Sequence, residues 1–85
     1  MTRTYLLYKC GGDGRRLPLA FFSADSAVEA REAPGWLRRK HPDQAGFSLG
    51  EGEFFEIIEQ GQCPAEEWDR ALAALGSTVL TRHAS

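Results

Sequence analysis

A short run of turn chemistry, Gly11-Gly12-Asp13-Gly14, stands between two apolar stretches near the start of the chain, and it constrains the fold more than any other feature. Glycine reaches the positive φ angles of a tight reversal without steric cost. Ahead of it, residues 4–10 carry Tyr5, Leu6, Leu7 and Tyr8 in unbroken succession. Extended, that run points apolar groups to both faces, the pattern of a strand inside a sheet. After the turn, Leu17, Leu19 and Phe21 alternate onto one face. The two stretches predict an antiparallel hairpin. Pro18 has no N–H to give to a ladder and assigns residues 17–22 to a sheet edge. Such an edge can pair with its own copy across a twofold axis, so a homodimer is one expectation.

Helical signals follow. Ser23 or Ser26 can cap a helix, Ser26 with Glu29 at capping-box spacing, and Ala24, Ala27, Val28, Ala30 and Ala33 suit a helix lying close to a sheet. Pro34-Gly35 breaks or kinks that helix, and residues 36–41 add a turn or two before Pro42 ends it. Residues 47–59 admit two readings. Phe54, Phe55, Ile57 and Ile58 fit a helical stripe, and Ser48 with Glu51 repeats the capping spacing. Against this, Gly50 and Gly52 would fall in the first turn, and aromatic and β-branched residues favour strands. The preferred assignment is a strand over residues 53–59, hairpinned to a short one at 47–49. The last helix opens at Pro64 with Glu66 and Glu67 in its first turn. It buries Trp68, Ala71, Leu72 and Leu75 and stops at Gly76. Residues 78–82 supply a short final strand. The expectation is one α+β domain spanning residues 1–85, with order ββαββα, a mainly antiparallel sheet and two helices on one face.

Apolar residues make up 42% of the chain and aromatics 11%, which excludes a disordered tail. The longest apolar run, residues 17–22, is far short of the ~20 residues of a spanning helix. Residues 1–9 lack the apolar core of a secretory signal. A cytoplasmic address follows as the expectation, with no membrane partner. Cys10 and Cys63 then read as two quiet core thiols, although one bridge between them is conceivable. Cys10, His41, Cys63 and His83 are scattered singly, so neither a metal nor a cofactor is expected.

The same scarcity weighs against catalysis. The glycine run is followed by a strand, whereas a phosphate-binding loop opens a helix. The thiol–imidazole pairs Cys10–His41 and Cys63–His83 have no local context. Carboxylate pairs such as Glu51/Glu53 and Glu66/Glu67 could in principle share acid and base roles. The acids after Pro64, however, sit where a helix start favours them, and Glu56 and Glu59 read as a solvated face. The chain is expected not to be an enzyme.

Charge is more informative. Net charge is −2, yet residues 1–42 hold eight basic and four acidic residues, and residues 43–85 hold two basic and eight acidic ones. The cluster Arg38-Arg39-Lys40 beside Trp36 is a candidate partner-binding surface, since Arg forks onto carboxylates and phosphates. The series Glu51, Glu53, Glu56 and Glu59 is its acidic counterpart, with Glu51 and Glu53 expected on one strand face. Partly exposed Trp36 or Phe47 would supply an aromatic anchor. The functional expectation is a small regulatory module that docks on a larger protein or nucleoprotein complex. Its sharper form is an inhibitor from a phage or mobile element that occludes a nucleic-acid groove. The alternative is direct nucleic-acid binding through residues 38–40.

Overall fold

A computed structural model describes residues 2–82. Strand β1 (Arg3–Cys10) runs into the glycine turn and returns as β2 (Arg16–Ala24). In the turn, Gly11 N–H donates to the Arg15 carbonyl at 2.9 Å, and Gly14 takes φ +86°. Strand β3 (Phe54–Glu59) pairs antiparallel with the other side of β1. A two-residue strand, β4 (Val79–Leu80), lies parallel to β2 at Phe21 and Phe22. The sheet order is β3-β1-β2-β4, so β1 is interior, as its two-sided apolar pattern requires.

Pro18 marks an irregularity as well as an edge. Leu7 pairs with Ala20, but the next residue, Tyr8, pairs with Pro18, leaving Leu19 as the extra residue of a β-bulge. The first half of β2 therefore does lie at an edge. The second half does not, because β4 takes its outer side. Self-pairing through residues 17–22 is thereby corrected: one half is bulged at a proline and the other is already occupied.

Ser26 caps helix α1 (Ala27–Arg31), its hydroxyl accepting from Glu29 N–H at 3.1 Å. The Glu29 carboxylate accepts from Asp25 N–H at 3.2 Å. Helix α2 (Ala33–Lys40) follows at once with Pro34 in its first turn. Pro34 has no N–H for the carbonyl four residues back, so the break falls at Glu32 and one stretch becomes two helices. Helix α3 (Ala65–Leu75) starts after Pro64 and ends where Gly76 takes φ +79° and donates to Leu72. No helix among the described residues is long and apolar enough to cross a membrane.

The chain is α+β, with a sheet that is antiparallel except at β4. Two expectations need correction. The helices do not share a face. Tyr5, Leu7, Ala20, Phe22 and Ala24 pack under α1 and α2 with Ala30, Ala33, Trp36, Leu37 and Phe47. Leu6, Tyr8, Cys10 and Phe21 pack on the opposite side under α3 with Trp68 and Ala71. A strand pair that is apolar on both faces needs cover on both. Nor is there a strand at residues 47–49. Ala45–Phe47 form a 3₁₀ turn that drives Phe47 into the core beneath α2, and Ser48 N–H closes back on the Ala45 carbonyl. Residues 53–59 do adopt the extended form, as β3, but its partner is β1.

Candidate docking surface

The cations of this chain divide into those its own fold engages and those it leaves open. Arg3 meets Glu59 at 2.7 Å. Lys9 donates to the Ser48 carbonyl at 2.7 Å and lies 3.9 Å from Glu53. Arg15 pairs with Asp13 at 2.6 Å, and Arg82 lies 3.7 Å from Glu32. Lys40 donates to the Thr81 carbonyl at 2.9 Å and stands 5.8 Å from the Trp36 ring centre. Arg31, Arg38 and Arg39 are exposed on α1 and α2 and, among the described residues, have no hydrogen bond or ion pair; the same holds for Arg70, alone on α3. Arg39 folds back over its own helix, with Nη1 3.5 Å from where a Gly35 side chain would begin.

Near Arg31 the surface changes character. A groove of about 350 Å³ runs between α1 and β3, floored by Tyr5, Ala30 and Ile57 and rimmed by Arg3, Arg31 and Glu59. It exists because α1 and α2 lie over β1 and β2 and leave β3 only half covered. Val28, 66% exposed, adds an apolar side chain on α1. An apolar floor with arginine at its rim is the arrangement that protein interfaces favour.

The expected anchors are elsewhere. Trp36 and Phe47 are 4% and 2% exposed, packed inward because the sheet face beneath α2 needs bulky cover, so neither can anchor a partner. Of the basic cluster, Lys40 is engaged, whereas Arg38 and Arg39 are open. The acidic series is not a row. Glu51 and Glu53 belong to the turn before β3, where the Glu53 carboxylate accepts from Gly50 N–H. Glu56 pairs with Arg16 and Glu59 with Arg3. Strand alternation sends Glu56 toward α3 and Glu59 toward α1. Of the four, Glu51 alone is exposed without a partner among the described residues.

Sequence reasoning missed the densest polar cluster. The Tyr8 hydroxyl donates to Glu67 at 2.8 Å, Arg16 meets Glu67 at 2.7 Å and also pairs with Glu56, and its guanidinium lies 4.2 Å over the Tyr8 ring. This cluster ties α3 to the sheet. Burial, with the Glu67 contact second, pushes the Tyr8 hydroxyl up to about 12, so it remains a donor. The Tyr8 hydrogen bond and then Arg16 hold Glu67 below the usual carboxylate range. The partners stand 40 to 59 residues apart in sequence, where no local pattern could join them.

The thiols are free. Cys10 is buried on the α3 side, whereas His41 packs against Phe47, 6.0 Å between rings, on the other side. The sheet separates that pair. Burial first, and then Glu67, push the Cys63 thiol up, which disfavours the thiolate. His83, its suggested partner, lies outside the described residues. Among the described residues no group of three or more His, Cys, Asp or Glu is placed to hold a metal. Comparison with family models, curated proteins and solved structures finds no match, so function must be argued from these side chains alone.

Proposed function

We propose that the chain is a non-enzymatic docking module that binds an acidic surface of a larger protein through Arg31, Arg38 and Arg39. The observation that carries this reading is clustering: six of the ten cations are engaged by the fold, and of the four guanidiniums left open among the described residues, three share the adjoining helices α1 and α2 while Arg70 stands alone on α3. An arginine free of internal partners keeps its whole fork for a carboxylate on another molecule. The apolar groove beside Arg31 offers the desolvated centre that charge alone lacks. Regulation by occlusion of a partner's surface fits a small chain of this kind, acting in the cytoplasm with its thiols unbridged.

Direct nucleic-acid binding is the second reading, and one observation weighs against it. The Trp36 ring is buried with Lys40 against it, so no stacking face adjoins the arginines. The form in which glutamates imitate nucleic acid is also weakened, since Glu53, Glu56 and Glu59 are engaged by Lys9, Arg16 and Arg3.

The test is capture from nuclease-treated host lysate with the wild-type chain and with an Arg31→Glu/Arg38→Glu/Arg39→Glu variant. The reading expects a stoichiometric protein that the variant loses while its melting temperature stays within a few degrees. Equal capture by both chains, or partners that disappear with nuclease, would refute it.

A further inference from the structure

We infer that the protein forms a twofold dimer by antiparallel pairing of β3 with β3 of a second copy, in the register that sets Ile57 opposite its symmetry mate. This interface shares Ile57 and Glu59 with the groove beside Arg31 but draws on none of Arg31, Arg38 and Arg39.

The sheet presents three stretches of open edge. Folded proteins blunt such edges with brevity, proline, bulges or charge, because unpaired N–H and C=O groups template association. The edge at β4 is two residues long. The stretch of β2 that β4 leaves unpaired carries Pro18 and the bulge. Strand β3 has neither device. It is six residues long, contains no proline and follows β1 without a register shift. Its charges do not guard it either, since Glu56 is drawn to Arg16 and Glu59 to Arg3 within the same chain. In antiparallel geometry alternate residues of β3 direct their backbone groups away from β1. Phe54 is 52% exposed on this edge, and Phe55, Ile57 and Ile58 are half-buried.

Symmetry and charge select the occupant and its register. A twofold axis normal to the sheet brings residues of the same face opposite one another, so the pairing centres on a residue. Centres at Glu56 and Ile57 give the longest ladders, five positions within β3. Centring on Glu56 sets that carboxylate against its copy and Glu53 against Glu59, which is repulsive. Centring on Ile57 sets isoleucine against isoleucine, Glu56 against Ile58 and Phe55 against Glu59, with no like charges opposed. Strand β3 is thus self-complementary in one register. The product is a continuous eight-stranded sheet whose outer edges are the two short β4 strands.

The experiment is sedimentation of the full chain over a concentration series up to about 1 mM, the weak end of specific association, with amide hydrogen exchange on the same samples. A dimer doubles the 9.4 kDa mass, and the outward amides of Phe54–Glu59 slow by at least about tenfold as it forms. Ile57→Lys, which opposes two ammonium groups on the axis, abolishes the doubling. Because Ile57 also packs inward, the exchange measurement on the wild-type chain decides the matter if that variant fails to fold. A monomer throughout, a dimer without protection of β3, or growth beyond two copies would each overturn the inference.

Discussion

Removing one negative charge at Glu67 tests how α3 is held to the sheet. Glu67→Gln keeps the shape of the side chain and still offers Tyr8 an oxygen, so the loss is confined to the charge that Arg16 sees at 2.7 Å. A hydrogen bond to a charged group contributes about 1.5–3 kcal/mol, roughly twice its neutral counterpart. Arg16 retains 39% side-chain exposure and has Glu56 as a second carboxylate, so the loss is discounted toward about 1 kcal/mol. For a domain of this size that is a fall in Tm of about 4–8 °C. The pH dependence supplies the sharper check. The Glu67 carboxyl lies below its ordinary 4.5, held there by the Tyr8 hydrogen bond first and Arg16 second. A carboxylate depressed in the folded state contributes fully above its unfolded pKa, and the contribution drains away as pH falls through the folded one. Urea unfolding of both chains from pH 7 down to about 3 should therefore show two curves that converge in acid. A gap that persists unchanged to the acid end, or is absent at neutral pH, would refute the assignment.

Three further outcomes are expected. Phe22→Ala removes a fully buried ring that stacks on Tyr5 at 5.5 Å and meets Trp36 edge-on at 6.4 Å, and it should cost about 3–5 kcal/mol in urea unfolding. Ser26→Ala deletes the acceptor at the start of α1 and should cost about 1 kcal/mol, whereas Ser26→Asp should retain most of that stability in the same assay. Iodoacetamide at neutral pH should label Cys63 in the folded chain more slowly than a free cysteine does, with the rate rising only in the alkaline range, because burial disfavours its thiolate. Rapid neutral labelling, read by mass spectrometry, would contradict the stated environment of Cys63.

What could be read in advance was what local chemistry fixes. The glycine turn, the interior character of β1, the Ser26 cap and the Pro64–Gly76 limits of α3 each depend on residues a few positions apart. The second helix layer was also legible, since Leu6 and Leu7 point to opposite faces and both must be covered; the reading stopped at one layer. Phe47 misled because alternation predicts extension only if nothing nearer competes. The Gln44 carbonyl and the core beneath α2 did compete, and a 3₁₀ turn resulted. At the docking surface, Arg38 and Arg39 were visible as a cluster, but their freedom was not. That Arg3 and Arg16 are engaged whereas Arg31 is open follows from strand pairing across the whole chain. The glutamate row failed for the same reason: spacing in sequence says nothing about which cations lie across the ladder.

The interior position of β1 has a consequence for synthesis. The hairpin of β1 and β2 leaves the ribosome before α3, with Leu6, Tyr8, Cys10 and Phe21 on the face that α3 covers. Translation proceeds at about 5–20 residues per second, so that face stays bare for roughly 2–10 seconds while the following segments are made. During that interval the nascent chain offers a hydrophobic strand pair to chaperones or to neighbouring chains. Folding of the α3-side core is therefore deferred until residues 65–75 have been made, and pauses between the codons for β2 and α3 should influence yield more than pauses within the hairpin.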